Sequence, residues 1–318
     1  MPEPVLVVDS VTKRYGNFIA VRSLSLTVPA GSVYGLLGPN GAGKTTTIRM
    51  IMNILGPDEG NVRLFGGEAT GRAASARIGY LPEERGLYRK MKVLDLLVFL
   101  AEMKGMGRTS ARREAQAWLE RLGLGEWGLK RADSLSKGMQ QKVQFISTIL
   151  HRPQLVILDE PFAGLDPVNS QVLKDTVLQL ARDGTTILFS THIMEQAEKL
   201  CDSVCIIARG KKVLDGTLAE VKRTRGGRNV VVAVERGVAS LDSVLRDRSL
   251  VAKADNYGQY AEVDLAEGAD PQRLLQAVLG TGARLTRFEI TEPSLHKIFI
   301  DAVGPDAATA SAESVSHA

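Results

Sequence analysis

Residues 38–46 read Gly-Pro-Asn-Gly-Ala-Gly-Lys-Thr-Thr, which matches the phosphate-binding pattern G-x-x-x-x-G-K-[ST]. The three glycines let the backbone turn tightly enough to aim successive N–H groups at phosphate oxygens. Lys44 supplies a cation for the β and γ phosphates, and the Thr45 hydroxyl is a ligand that Mg²⁺ accepts. We therefore predict a triphosphate site with Mg²⁺ along the whole loop: Gly38, Pro39, Asn40, Gly41, Ala42, Gly43, Lys44, Thr45 and Thr46.

The sequence on either side of this loop supports the interpretation. Residues 32–37 form a short apolar run, and residues 46–55 are apolar at helical spacing. A chance Gly-rich turn would not require a strand before it and a helix after it. The order strand, loop, helix places the positive end of the helix at the phosphates.

The composition limits the classes of protein to which the chain can belong. The chain has 318 residues, of which 44% are hydrophobic and 24% charged, as in a globular protein of about two domains. The longest apolar stretches fall short of the roughly 18 residues that a membrane span needs, and no secretion signal is present near the start. The net charge of +4 is too small to argue for nucleic acid. Cys201 and Cys205 are expected to be reduced core residues in the cytoplasm.

The pattern of apolar residues predicts the organisation of an α/β fold. Alternation over residues 5–28 predicts an antiparallel β layer before the loop, and helical periodicity dominates residues 93–150. Residues 154–159 and 185–190 are apolar on both faces, as in strands of a parallel sheet. These features predict a nucleotide-binding domain over residues 1–220, with a helical subdomain at about 90–150.

A smaller α+β domain is predicted behind a basic segment. Residues 221–229 form the predicted linker, and the alternative for this segment is contact with anionic lipid or nucleic acid. We predict three strands and two helices within an accessory domain at 230–303. The composition of residues 304–318 predicts a disordered tail.

Two acids end the apolar run at residues 154–160. Asp159 is placed to hold the Mg²⁺ shell through a water, and Glu160 is the candidate general base that orients the attacking water. Paired acids at the end of a strand are weak evidence alone. The phosphate loop upstream makes a catalytic role the favoured interpretation.

Further motifs follow the phosphate loop in a fixed order. They are Leu-Ser-Lys-Gly-Met at residues 135–139, the strand that ends in Asp159 and Glu160, Gly-Leu-Asp at 164–166, and His192. The order of these motifs resembles that of the ATP-binding cassette (ABC) ATPases, and the resemblance covers about residues 3–220. It implies a P-loop NTPase (RecA-like) core with an antiparallel β layer, ATP as the nucleotide, and hydrolysis to ADP and phosphate.

The resemblance also implies roles for particular residues. Ser136 and Gly138 would bind the γ-phosphate held on a partner subunit, although Ser136 alone is a natural helix N-cap. Asp166 would communicate with the opposite site, and His192 would contact the γ-phosphate as a catalytic switch together with Lys44 and Glu160. Tyr15 would stack on adenine, the alternative being an exposed turn residue. Lys137 and Met139 depart from the commoner Gly and Gln.

Glu83 is a further departure, because family members usually carry Gln at this position. A carboxylate there could still ligate Mg²⁺, and the alternative is an exposed loop acid. The surrounding Glu-Glu-Arg-Gly-Leu-Tyr at residues 83–88, with Glu-Pro-Ser-Leu-His-Lys-Ile-Phe-Ile at 292–300, resembles the branch of sodium-efflux and drug-resistance exporters.

These inferences predict a cytoplasmic ATPase subunit, peripheral on the inner face of the cell membrane. It would dimerise around two ATP molecules, most simply as a homodimer, and drive a separate integral membrane permease, with no nucleic acid partner. The alternative is a soluble ABC ATPase that acts on the ribosome or DNA. A binding module controlled by nucleotide is a third interpretation, which the intact Glu160 and His192 oppose.

Overall fold

The computed structural model describes residues 3–68, 72–84, 86–225, 229–235 and 238–303. Up to Thr217 the helices and strands follow in this order: β1 (Pro4–Tyr15), β2 (Phe18–Pro29), β3 (Val33–Leu37), α1 (Lys44–Ile51), β4 (Glu59–Leu64), β5 (Gly67–Glu68), α2 (Arg72–Ala76), β6 (Ile78–Leu81), α3 (Val93–Met103), α4 (Arg108–Arg121), α5 (Lys137–Ile149), β7 (Leu155–Asp159), α6 (Pro167–Arg182), β8 (Thr186–Thr191), α7 (Met194–Leu200), β9 (Ser203–Ala208) and β10 (Lys211–Thr217). The remaining elements are α8 (Leu218–Arg225), β11 (Asn229–Val234), α9 (Asp242–Leu245), β12 (Val251–Asn256), β13 (Tyr260–Leu265), α10 (Pro271–Gly280), β14 (Leu285–Thr291) and α11 (Leu295–Val303).

Contacts divide the chain into two compact units, and the second unit spans Ala219–Ala302. No described helix is both long and apolar enough to cross a bilayer. The predicted limits of the domains, at residues 220 and 230, remain predictions. The tail predicted at residues 304–318 lies outside the described residues.

The first unit contains a six-stranded sheet in the order β10-β9-β3-β8-β7-β6. Neighbouring strands in this sheet run parallel, except that β10 pairs antiparallel with β9. Every residue of β3, β7 and β8 is buried, which explains their continuous apolar sequences. The carboxyl ends of parallel strands meet at one edge, so the segments after these three strands come together.

A second sheet in this unit, in the order β2-β1-β4-β5, forms the predicted antiparallel layer. Its apolar side chains share one buried cluster with the main sheet and α1; examples are Leu6, Leu24, Tyr34 and Ile48. The predicted α/β fold class, with a P-loop core and a β layer, is thereby confirmed.

The second unit carries a four-stranded antiparallel sheet in the order β12-β13-β11-β14. Val232 of β11 and Val263 of β13 share one buried cluster with Leu274 of α10. On α11, Lys297 Nζ donates to Asp264 Oδ1 at 2.5 Å and to Asn229 Oδ1 at 3.2 Å, which ties this helix to the sheet.

The prediction of a linker over residues 221–229 is corrected in part. Residues 218–225 form helix α8, and β11 already begins at Asn229. Val221 is only 3% exposed, so one apolar side chain anchors this otherwise basic helix by burial. Strand β12 was also not predicted, because its sequence Val-Ala-Lys-Ala-Asp-Asn is short and weakly apolar.

Candidate functional site

The phosphate-binding loop follows β3 directly and ends at the first residue of α1. Gly38 has φ +155°, and a Cβ there would lie 2.1 Å from the carbonyl oxygen of Ile207. Gly43 precedes the helix with φ +107°, and its Cβ would lie 2.6 Å from Ala20 O. Neighbouring backbone therefore leaves no room for a side chain at either position, and the sequence must be glycine there.

Lys44 reaches back across the loop that it ends. Its Nζ donates to Gly38 O at 2.8 Å and to Pro39 O at 3.3 Å, and it lies 3.4 Å from Glu160 Oε1. The side chain is only 6% exposed. A buried ammonium beside the open N-terminus of α1 is the arrangement that the predicted phosphate site needs.

Asp159 is the last residue of β7 and is fully buried. Ser190, on the neighbouring strand β8, donates its hydroxyl to Asp159 Oδ1, whereas Oδ2 has no hydrogen-bond partner among the described residues. Burial raises the pKa of Asp159, and the hydroxyls of Ser190 and Thr45 act in the opposite direction. The unpartnered Oδ2 is the type of oxygen that a hard divalent cation takes as a ligand.

Glu160 follows with φ +48°, an unusual backbone conformation for a residue with a side chain. Its N–H donates to Ser190 O and to Ser190 Oγ, both at 3.2 Å, and these bonds hold the strained residue in place. The turn aims the carboxylate at Lys44 and at His192, whose Nδ1 lies 2.9 Å from Glu160 Oε1. A strained backbone at an acidic residue that ends a strand is typical of a functional site.

His192 follows the end of β8 and is partly exposed. The hydrogen bond to Glu160 raises the pKa of His192 above its ordinary value, against the opposing effect of burial. Because this pKa is higher in the folded than in the unfolded chain, protonation of His192 stabilises the fold at low pH. That contribution is lost as the pH rises through the raised pKa.

We expect the Glu160→Gln substitution to lower the pKa of His192 toward its ordinary value of about 6.5, because the charged acceptor is removed. Ring resonances followed by NMR over a pH titration measure this shift. His151 is an internal control, since burial lowers its pKa and it hydrogen-bonds to Ile78 O instead. An unchanged His192 titration in the variant would contradict the proposed pairing.

Glu83 lies two residues beyond the end of β6, and β6 is the neighbour of β7 in the sheet. Burial raises the pKa of Glu83, and the negative charges of Asp159 and Glu160 raise it further. Glu83 therefore belongs to the same electrostatic cluster as Asp159 and Glu160 at the end of β7. Within the described part of the chain, no three His, Cys, Asp or Glu side chains form a metal site by themselves. A bound cation would accordingly need phosphate oxygens and the Thr45 hydroxyl as further ligands.

A groove of about 350 Å³ opens over the loop. Tyr15, at the end of β1, lines it and is 47% exposed, as the prediction of an adenine platform requires. Phe18, which pairs with Tyr15 in the β1–β2 register and is 64% exposed, also lines the groove and was not predicted. The remaining residues of the lining are Ala20, Asn40, Gly41, Ala42, Gly43, Lys44, Thr45, Thr46, Glu83 and Glu160.

Ser136, Gly138 and Asp166 are not among the residues that line this groove. Ser136 is the N-cap of α5, since its Oγ accepts a hydrogen bond from Met139 N at 3.3 Å, and it is exposed. Asp166 caps α6 and accepts from Asn169 N at 3.0 Å, a bond that lowers the pKa of Asp166. A Cβ built on Gly138 would lie 4.0 Å from Asn169 Nδ2, so the starts of α5 and α6 are adjacent.

The predicted residues therefore separate into two groups. One group surrounds the groove and its floor: Tyr15, residues 38–46, Glu83, Asp159, Glu160 and His192. The other is the exposed pair of helix starts that carries Ser136, Gly138 and Asp166. A phosphate-binding loop on a parallel sheet, with acids at the end of another strand of that sheet, defines the class of P-loop nucleotide-binding proteins.

Comparisons with known proteins identify the family within this class. The family model described as "ABC transporter" matches residues 21–163, and the one described as "ATP-binding protein DrrA1-3-like, C-terminal domain" matches residues 216–303. An uncharacterized ABC transporter ATP-binding protein of Bacillus subtilis, YhaQ, is 45% identical over 300 residues, which is 94% of this chain and 99% of that protein.

Two further relatives agree with this assignment. The linearmycin resistance ATP-binding protein LnrL of Bacillus subtilis is 30% identical over 94% of this chain and 98% of its own length. A solved ATP-binding subunit of an ABC transporter is 32% identical, with a TM-score of 0.65 over 69% of this chain and 92% of that one. The chain belongs to the ATP-binding subunits of ABC transporters and is an ATPase, as predicted, and its relatives include drug-resistance proteins.

Proposed function

We propose that this chain hydrolyses ATP in a dimer and thereby drives a separate membrane permease, as an exporter does. The observation that carries the proposal is the separation of the site into two groups. Lys44, Glu160 and His192 lie together at the groove, whereas Ser136 at the exposed start of α5 does not line it. A helix N-terminus whose exposed N-cap hydroxyl still has its hydrogen to donate is suited to bind the γ-phosphate held by a second copy.

The residues at the groove can perform the hydrolytic step. Lys44 and the loop N–H groups would hold the β and γ phosphates, and Tyr15 with Phe18 would contact the adenine ring. Glu160 would accept the proton of the attacking water, and His192 would hold the Glu160 carboxylate and contact the γ-phosphate. Thr45, Asp159 and Glu83 fit a bound Mg²⁺, which would supply positive charge to the phosphates.

For Glu83, the shared electrostatic cluster with Asp159 favours the metal-binding interpretation over an exposed loop acid. Asp166 caps α6 whatever else it does, so its proposed role across the dimer is added to a structural one. We place the chain at the inner face of the cell membrane through its permease. The relative named for linearmycin resistance supports an exporter.

We expect the tagged full chain to co-purify an integral membrane protein from detergent-solubilised membranes of the source cells. The complex should have a defined stoichiometry and contain two ATPase subunits. The Lys44→Ala variant, which keeps the outer surface unchanged, should capture the same protein, because docking does not need ATP. Recovery of ribosomes or DNA in place of a membrane protein would favour the alternative class of soluble ABC ATPases.

A further inference from the structure

Strand β14 forms one edge of the sheet in the second unit. Among the residues that the structure describes, it pairs with β11 on one side and with no strand on the other. The strand reads Leu-Thr-Arg-Phe-Glu-Ile-Thr over Leu285–Thr291, and none of its residues is fully buried. Ile290 is 57% exposed. An edge strand with free backbone groups and exposed apolar side chains is a template for pairing with another strand.

The sequence of β14 is complementary to itself when two copies run antiparallel. If Phe288 lies opposite Phe288 of a second copy, Arg287 lies opposite Glu289 in both directions. In the same register Thr286 faces Ile290. Opposite charges placed directly across an antiparallel pair stabilise it, as does an aromatic pair at its centre. A two-fold symmetric dimer repeats each of these contacts twice.

The side chains of β14 are already arranged for this register. Arg287 Nη2 lies 2.5 Å from Glu289 Oε2 within one strand, and both side chains are about half exposed. Two such pairs brought together would alternate in sign around a ring of four charges. Phe288 and Ile290 lie on the other face of the strand, opposite Val232 and Val230 of β11. The second copy would cover the exposed part of that apolar face.

The opposite edge of the sheet, β12, is less suited to pairing. Its central residues Lys253, Ala254 and Asp255 also alternate in charge, with Lys253 Nζ 3.2 Å from Asp255 Oδ2. The carbonyl oxygen of Ala252, however, already accepts a hydrogen bond from Arg248 Nη1 at 2.5 Å. A backbone acceptor of that edge is therefore occupied, and the alanines offer little apolar area.

We propose that two copies of this chain associate through antiparallel pairing of their β14 strands, without nucleotide. This contact goes beyond the proposed function, because it needs neither ATP nor the start of α5. It would form one continuous eight-stranded sheet from the two C-terminal units. A permanent contact of this kind would hold two ATPase subunits close together between rounds of ATP binding.

The test measures the mass of the full chain by light scattering, without nucleotide, over a range of concentrations. The wild-type chain should be a dimer. The Arg287→Glu and Glu289→Arg substitutions each place like charges opposite one another twice, so each should raise the dimer dissociation constant at least about tenfold. The double substitution Arg287→Glu with Glu289→Arg restores opposite charges and should restore the dimer.

Mixing the two single variants provides a second readout. Chains with Arg287→Glu and chains with Glu289→Arg are complementary to each other, so an equal mixture should form heterodimers more tightly than either variant forms homodimers alone. Lys253→Glu is the matched control, since it inverts a charge on the other edge strand and should leave the dimer unchanged. Thermal unfolding establishes that each variant is folded.

A wild-type chain that is monomeric at every concentration without nucleotide would overturn the proposal, as would single variants that dimerise like the wild type. Failure of the double variant and of the mixture to dimerise would also overturn it. None of these results bears on ATP-dependent closure of the sites, which is measured separately with ATP and needs an intact Ser136.

Discussion

Replacing Glu160 with Gln lowers the rate of ATP hydrolysis by about 10²–10⁴-fold, the usual contribution of a general base. ATP binding survives, because Gln keeps the shape of the side chain and can still accept a hydrogen bond from His192. The variant therefore accumulates in the ATP-bound state, with two copies closed on the nucleotide. Phosphate release and retention of labelled ATP measure the two effects.

Glu195→Gln is the matched control for this substitution, because Glu195 is exposed on the nearby helix α7. It should hydrolyse ATP at the wild-type rate. If the Glu160→Gln variant hydrolysed ATP normally, Glu160 would not be the base. A variant that binds ATP yet never closes into a dimer would contradict the second half of the prediction.

Replacing Lys44 with Ala weakens ATP binding by about 10²–10³-fold, as expected when one partner of a buried charge interaction is removed. Lys44 is the cation that the structure places among the loop carbonyl oxygens and Glu160. Without it the phosphates would face three carboxylates, Glu83, Asp159 and Glu160. Calorimetric titration with ATP measures the change.

Lys199→Ala is the corresponding control, since Lys199 is exposed on α7 and should leave ATP affinity unchanged. A thermal unfolding curve for the Lys44→Ala variant separates lost binding from lost folding. Wild-type affinity for ATP in a folded Lys44→Ala variant would contradict the assignment of the loop as the phosphate site.

Much of the fold follows from local sequence. The loop at residues 38–46 needs an apolar strand before it and a helix after it, and β3 and α1 occupy those places. The continuous apolar sequences of β7 and β8 predicted parallel strands, because a strand that is covered on both faces has no polar side. Ser136 could be predicted as an N-cap because capping depends on a few adjacent residues.

Other features depend on contacts between distant segments. Phe18 reaches the groove only because the β1–β2 hairpin places it opposite Tyr15, and the alternation of polar and apolar residues does not reveal that face. Ser190 supports both Asp159 and Glu160 because β7 and β8 are neighbours in the sheet. Helix α8 was mistaken for a linker because its charges outweigh its few apolar residues. The order of strands in a sheet and the partners across strands cannot be predicted from the sequence of any single segment.

In the proposed dimer, one subunit holds ATP and the helix start at Ser136 of the other completes the site. Asn40 lies in the phosphate loop and Lys137 directly follows Ser136 at the start of α5, and both are exposed, so each position accepts a cysteine while Ser136 stays intact. One chain would carry Asn40→Cys and the other Lys137→Cys, each with Glu160→Gln, and a short thiol-reactive cross-linker would join them. The natural cysteines, Cys201 and Cys205, are buried.

The most direct measurement is the amount of cross-linked product between these two chains with ATP, with ADP and without nucleotide. A chain with Ser110→Cys, at an exposed position in the first turn of α4, replaces the Lys137→Cys chain as the control. We predict product with ATP, little or none in the other two states, and none with the control. Equal product in all three states, or none with ATP bound, would contradict a site completed by Ser136 of a second subunit.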